Sequence, residues 1–254
     1  MHNSLTIYPI IDLPLVQEGD GLTQLIPTAL KHQNIQFRDD DILVVAQKIV
    51  SKSEGCAVLL KDVNPSAAAV SLALETDKDP RLVELILRES TEVIRKAPGV
   101  IIVRHRLGII SANAGIDQSN IDHAGGECAL LLPADPDQSA RRLRKALAKK
   151  TGKRLGVIVS DSMNRPWRLG TLGYAIGCAG VMVLDDRRGE ADIFGRDLKV
   201  TMSNHADSIA TAAMLMMGET SERVPAALVR GLNVKETPQT ARDSIRPVAE
   251  DLFL

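Results

Sequence analysis

Two segments hold the residue types best suited to chemistry: Asn113-Ala114-Gly115-Ile116-Asp117 and Ser160-Asp161-Ser162-Met163-Asn164-Arg165-Pro166-Trp167-Arg168. Each follows a run of apolar, β-branched-rich residues and then sets a carboxylate among small or amide side chains. Carboxylate, hydroxyl and amide oxygens are what a hard divalent cation takes as ligands, and such a cation also takes phosphate oxygens. Asp117 and Asp161 are the acidic members. Ser162, Asn113, Asn120 and Asn164 add neutral oxygens and amides, and Lys48, Lys52, Arg165 and Arg168 add positive charge. Carboxylates, a divalent ion and basic side chains together are how proteins hold a triphosphate while its γ-phosphoryl group is transferred. Each residue also has a plainer reading. An Asp after a strand caps a helix or turn, and a Lys at a strand end is a solvated charge.

Bulk properties exclude several other classes. There is no G-x-x-x-x-G-K-[ST], no G-x-G-x-x-G, no G-x-S-x-G and no H-E-x-x-H. Lys and Arg number 31 against 32 Asp and Glu, so no net field draws the chain to nucleic acid or anionic lipid. One Trp, two Tyr and three Phe make no base-stacking platform, so nucleic acid is not an expected partner. Cys56, Cys128 and Cys178 lie far apart without zinc spacing and are expected to be small buried hydrophobes. No apolar run approaches about 18 residues, and no basic stretch leads into an apolar one at the N-terminus. A cytoplasmic protein without membrane contact is expected.

Elements that must position the two segments alternate between strand and helix patterns, which predicts a mixed α/β fold. Ser4 to Ile11 alternates as a strand, Leu22 to His32 has helical spacing, and Asp41 to Ala46 is a short apolar strand. Asn64-Pro65 is an expected helix start running to about Leu74, and Asp79-Pro80 starts a second helix through roughly Arg95. Val100 to Val103 and Leu107 to Ser111 form an expected hairpin that delivers Asn113 to Asp117 to a loop. Asp135-Pro136 opens a helix that stops at Thr151-Gly152. Leu155 to Val159 reads as a buried strand with Asp161 at its carboxyl end, where ligands bind in α/β folds. Beyond it, Gly170, Gly173, Gly177 and Gly180 would line one side of a helix and admit a neighbouring backbone or a phosphate. Ser203 to Met217 is an amphipathic helix whose methionines are expected in the core, Ala226 to Val229 is a last strand, and the tail after Asn233 is polar enough to be partly loose.

Val45-Ala46-Gln47-Lys48-Ile49-Val50-Ser51-Lys52-Ser53-Glu54-Gly55, the run from Asn113 to Asn120, Asp161-Ser162 through Gly170, and Val229-Arg230-Gly231-Leu232-Asn233 stand in one order along the chain. In these segments the sequence resembles the coenzyme F420:L-glutamate ligase family over essentially its whole length. The resemblance implies a GTP-dependent, metal-dependent amide ligase. Such an enzyme joins L-glutamate to the lactyl carboxylate of the deazaflavin precursor F420-0 and then adds γ-linked glutamates. It also implies a family-specific α/β fold, an intertwined homodimer and one catalytic unit over residues 1–254, with room for two subdomains of unspecified boundary. Carried across by position, it makes Asp117 and Asp161 ligands of a divalent ion, Mg²⁺ or Mn²⁺, with K⁺ as a further cation. Ser162 and Glu219 become contacts to a second metal, Ser162 standing where a threonine is the expected form. Leu13-Pro14-Leu15-Val16, Gln47, Lys48, Lys52, Asn120 and the Met217 to Val224 segment containing Glu219 match GTP contacts. Gln47-Lys48 replaces the small hydroxyl residues of some members.

A mechanism consistent with residues and resemblance activates a carboxylate as an acyl phosphate, with GDP and phosphate as products. Lys52 and Arg165 neutralise charge during transfer. No protein nucleophile is needed. Two other readings remain at this level: an amide ligase for a different acid or amine, and a non-catalytic nucleotide-binding paralogue.

Overall fold

A computed structural model describes residues 4–123, 125–232 and 237–252. In chain order the elements begin with β1 (Thr6–Pro9), α1 (Leu22–His32), β2 (Asp41–Ala46), α2 (Gln47–Ser53), β3 (Ala57–Leu59), α3 (Ala67–Thr76) and α4 (Pro80–Arg88). There follow β4 (Ser90–Ala97), β5 (Val100–His105), β6 (Ile110–Ala112), β7 (Cys128–Leu130) and α5 (Pro136–Thr151). The last are β8 (Leu155–Asn164), β9 (Thr171–Ala179), β10 (Leu184–Asp186), β11 (Met202–Asn204), α6 (His205–Met217) and β12 (Ala226–Arg230). The mixed α/β class expected from the alternating patterns is the one observed.

The chain divides into two compact units. The first comprises Met1–Val16, Asp20–Val50 and Asp135–Ser244; the second comprises Gln17–Gly19, Ser51–Ala134 and Ile245–Leu254. In the first, a five-stranded sheet has the order β1-β12-β2-β8-β9, and only β2 and β8 run parallel. Residues 42–45 and 155–159 are buried without alternation, the pattern of strands covered on both faces. Helix α6 supplies Ala206, Ile209, Ala210, Ala213 and Met217 to a core with Ile42, Val44, Ile158, Ala227 and Val229. Met217 is buried there, whereas Met216 is exposed, so the expectation of core methionines holds for only part of the group.

Helix boundaries follow capping chemistry. Asp135 accepts from the Gln138 N–H at 2.9 Å, Pro136 occupies the first turn of α5, and Gly152 ends the helix at φ 69°. Two expectations are corrected. The helix assigned to Asn64-Pro65 starts at Ala67, because Ser66 is the residue whose hydroxyl accepts from the Ala69 N–H at 3.2 Å. The helix begun by Asp79-Pro80 ends at Arg88 rather than near Arg95. Residues 90–97 form β4 instead, since pairing with β5 satisfies their backbone.

In the second unit, the three-stranded sheet β4-β5-β6 and the β3–β7 pair enclose a core of Leu60, Leu72, Leu82, Val83, Ile86, Ile101 and Val103 with α3 and α4. The expected hairpin is the β5–β6 pair, and it delivers the chain to Asn113. Cys128 and Cys178 are buried and Cys56 is half-buried. Among the described residues, no helix is long and apolar enough to cross a membrane. Asn233, with the beginning of the tail expected to be loose, lies outside the described residues.

Candidate active site

In the first unit an oxygen cluster is built by the β8–β9 hairpin and the segment that follows α6. Strand β8 does not stop after Val159. Its parallel pairing with β2 ends at Ala46 opposite Ser160, and the strand continues to Asn164 against β9 alone. Asp161 faces Tyr174, Ser162 faces Gly173, Met163 faces Leu172 and Asn164 faces Thr171. The glycine segment that would line one side of a helix, were it helical, is not helical: Gly173 and Gly177 lie in β9, with Gly170 and Gly180 just outside its two ends. The 3-4-3 spacing matched a helical period, but the two neighbouring helices approach a strand. A Cβ on Gly173 would lie 2.7 Å from the Ala210 carbonyl oxygen, and one on Gly177 would strike the backbone of Pro136. Close backbone approach, one of the two uses expected for these glycines, is what those two positions provide.

Glu219 reaches the same hairpin from the end of α6, after a turn at Gly218 with φ 74°. The Ser162 hydroxyl donates to the Glu219 carboxylate, 2.8 and 2.7 Å from its two oxygens, and the Thr171 hydroxyl lies 3.5 Å from Oε2. Ser162, Thr171 and Glu219 are exposed, so this group of oxygens opens to solvent. In the same loop the Glu222 carboxylate accepts from the Thr220 N–H at 2.7 Å.

Beside Ser162, Asp161 is half-buried and shares a cross-strand pair with Tyr174, a residue missed by sequence reasoning. Tyr174 is 6% exposed, and its hydroxyl has no partner of normal hydrogen-bond geometry among the described residues. Burial first, and then the Asp161 and Asp207 carboxylates, push its pKa well above the ordinary phenol value; a hydrogen-bond-like approach to Asp161 adds a smaller upward push. Asp207 is itself raised by burial, partly offset by the Ala175 N–H that its Oδ1 accepts at 2.9 Å.

The remaining candidates of this unit lie on three segments. Leu13 and Val16 are buried, so their side chains belong to the core, while Pro14 and Leu15 are exposed. Gln47 is buried and Lys48 half-buried at the junction of β2 and α2. Arg165 and Arg168 are exposed in the β8–β9 turn with Trp167, whose φ is 66°.

The second unit holds Asp117, Asn120 and Lys52. Asn113, Ala114 and Gly115 take positive φ values of 51°, 56° and 65° in succession, an unfavourable left-handed turn for the alanine above all. The turn is held because the Asn113 Oδ1 accepts from the Ile101 N–H at 3.1 Å and the Ile116 N–H reaches the Asn113 carbonyl at 3.0 Å. Asn113 thus shapes the loop. Directly after it, Asp117 is locked to Leu130 by paired backbone bonds of 3.0 and 2.8 Å, and its side chain is half-buried. Lys52, in the last turn of α2, donates from Nζ to the Asn120 carbonyl at 2.6 Å. Lys52 and Asn120 therefore come together.

Among the described residues, no three His, Cys, Asp or Glu side chains group as a metal centre. The donors around Ser162 are all oxygen, one carboxylate with hydroxyls, while Asp161, the preceding strand residue, projects its carboxylate to the other face of the hairpin. That chemistry fits a hard divalent ion that completes its coordination with substrate phosphates and water.

The structure defines a mixed α/β protein with an exposed cluster of oxygen donors, and comparison with known proteins makes it particular. A family model described as F420-0:Gamma-glutamyl ligase matches residues 10–231, and the chain belongs to that family. The chain is 42% identical to the coenzyme F420:L-glutamate ligase of Methanopyrus kandleri over 98% of both chains. It is 44% identical to the protein of that name from Methanothermobacter thermautotrophicus over 89% of both, and 41% identical to that from Methanocaldococcus jannaschii over 96% of this chain and 94% of the relative.

Proposed function

We propose that the protein is a GTP-dependent ligase that forms an amide between L-glutamate and the deazaflavin precursor F420-0, and then extends the product by γ-linked glutamate. Family membership supports the ligase class. The observation that carries the site is the Ser162–Glu219 contact on an exposed hairpin, an oxygen-only donor set suited to a metal nucleotide, with the Asp161 carboxylate on the other face of the same strand.

A carboxylate resists an amine because its charge and resonance repel the nucleophile. One carboxylate oxygen of the acceptor would attack the γ-phosphorus of GTP, breaking the bond to the β,γ-bridging oxygen and releasing GDP. The glutamate amine would then attack the acyl carbon, form the C–N bond, expel phosphate and lose a proton. Divalent ions, Mg²⁺ or Mn²⁺, would supply neutralisation of the phosphate charge. Asp117 and Asp161 are the proposed ligands of one divalent ion and Ser162 and Glu219 the proposed contacts to a second, with K⁺ as an accompanying cation. Lys52 and Arg165 are the proposed cations for charge that develops in transfer. Leu13, Pro14, Leu15, Val16, Gln47, Lys48 and Asn120 are proposed nucleotide contacts. For Leu13, Val16 and Gln47 the burial of the side chains favours contact through the backbone.

A homodimer is part of the same proposal. Trp167, Leu169, Ile193, Phe194 and Val200 are exposed apolar side chains on the β8–β9 and β10–β11 connections, surface that a second copy would cover. Hydroxylamine in place of glutamate tests the chemistry. A hydroxamate should form only with precursor, GTP and divalent metal all present, and its absence would refute the acyl phosphate.

A further inference from the structure

Tyr174 is an anomaly. Buried tyrosines ordinarily find a partner for the hydroxyl, because an unpaired donor out of water costs free energy. Here a phenol at 6% exposure has none of normal geometry among the described residues. It lies directly across the β8–β9 ladder from Asp161, and cross-strand partners share one face with Cβ atoms roughly 5 Å apart. Two carboxylates act on the phenol, but they are not equivalent acceptors. Asp207 already accepts from the Ala175 N–H at 2.9 Å through Oδ1 and from the Asn204 amide at 2.7 Å through Oδ2. Asp161 is the carboxylate on its own face of the hairpin.

We propose that Tyr174 is a positioning residue for Asp161: when a divalent cation is bound, its phenol donates to one carboxylate oxygen and so fixes the orientation of the other toward the ion. The inference rests on the reading of Asp161 as a metal ligand. A ligating carboxylate carries more lone pairs than one ion uses, and the hydrogen bonds that occupy the rest change metal affinity by about 10–100-fold. The residue would act entirely through Asp161, touching neither nucleotide nor acceptor.

Free Mn²⁺, followed by electron paramagnetic resonance during titration of the purified protein, tests this in three chains: wild type, Tyr174→Phe and Asp161→Asn. Melting temperatures with and without Mn²⁺ accompany the titrations. The phenylalanine variant should melt at or above the wild-type temperature without Mn²⁺, since it deletes an unpaired buried donor. Its Mn²⁺ affinity should fall about tenfold or more, and the stabilisation by Mn²⁺ should shrink. Unchanged affinity in Tyr174→Phe with loss in Asp161→Asn would overturn the positioning role and leave the metal reading standing. Wild-type affinity in Asp161→Asn would overturn the metal reading and the inference with it. A lower melting temperature for Tyr174→Phe at unchanged affinity would mark the phenol as a packing group.

Discussion

Replacing Asp41 by asparagine should destabilise the first unit through a single buried contact that sets the strand leading to Gln47 and Lys48. Asp41 is fully buried at the start of β2. Its Oδ1 accepts from Arg230 Nε at 2.8 Å, and its Oδ2 accepts from Arg230 Nη2 at 2.8 Å and from the Arg38 N–H at 2.7 Å. The guanidinium also donates to the Gln36 carbonyl at 2.7 Å and lies 5.1 Å from the centre of the Tyr8 ring. Its pKa is raised, the Asp41 hydrogen bonds being the largest cause, so Arg230 stays charged throughout. Removing one charge of a buried pair costs about 3–5 kcal/mol. The lower end applies, because Arg230 keeps a carbonyl, a ring and some solvent. About 3 kcal/mol corresponds to a fall of roughly 6–12 °C in melting temperature for a domain of this size. Calorimetry or circular dichroism would measure it. Asp41→Asn combined with Arg230→Met should recover part of the loss, since replacing both partners removes the stranded charge. A fall below about 2 °C would refute the reasoning, for the pair would then behave as an exposed salt bridge.

Asp161→Asn should lower turnover by about a thousandfold or more, roughly 4 kcal/mol of transition-state stabilisation, with little change in melting temperature; near-wild-type turnover would remove Asp161 from the site. Lys52→Ala should weaken GTP binding in calorimetric titration and slow the reaction, because it removes the phosphate contact proposed for Lys52 and frees the Asn120 carbonyl it holds at 2.6 Å, whereas Lys149→Ala near the end of α5 should do neither. Equal effects at both positions would make Lys52 a surface charge. Glu84 is held at about 2, chiefly by the Ser66 hydroxyl and N–H and then by Arg88, so its carboxylate stabilises the fold fully above its ordinary 4.5, and that contribution disappears as pH falls through about 2. Glu84→Gln should therefore melt below wild type at pH 6, with the gap closing on acidification; a gap of constant size between pH 6 and pH 2 would contradict the linkage.

Much of the scaffold was legible because local chemistry decides it. Asp79-Pro80, Asp135-Pro136 and Gly152 are helix signals that work within a few residues, and α5 spans Pro136–Thr151 as the caps predict. The buried run at 41–46 is a strand for the same reason: its apolar, β-branched side chains suit a sheet covered on both sides. Long-range pairing decides the errors. Residues 90–97 continue an apolar helix pattern by sequence but are claimed by β5, and the glycines at 173 and 177 have helical spacing although β8 pairs them into a strand. That second misreading hid Tyr174. Once the segment is a hairpin with its turn near residues 165–170, Asp161 and Tyr174 face each other. In a helix they would have had no fixed relation. Ser162 and Glu219, far apart in sequence, were paired only by resemblance, and their contact depends on where α6 ends.

Mass spectrometry of a reaction containing purified protein, F420-0, L-glutamate, GTP and Mg²⁺ or Mn²⁺ tests the ligase reading most directly. The products should form a series increasing by one glutamyl residue per step, with GDP and inorganic phosphate appearing in proportion to the amide bonds made. An unmodified deazaflavin, or GMP with pyrophosphate as the nucleotide products, would contradict it.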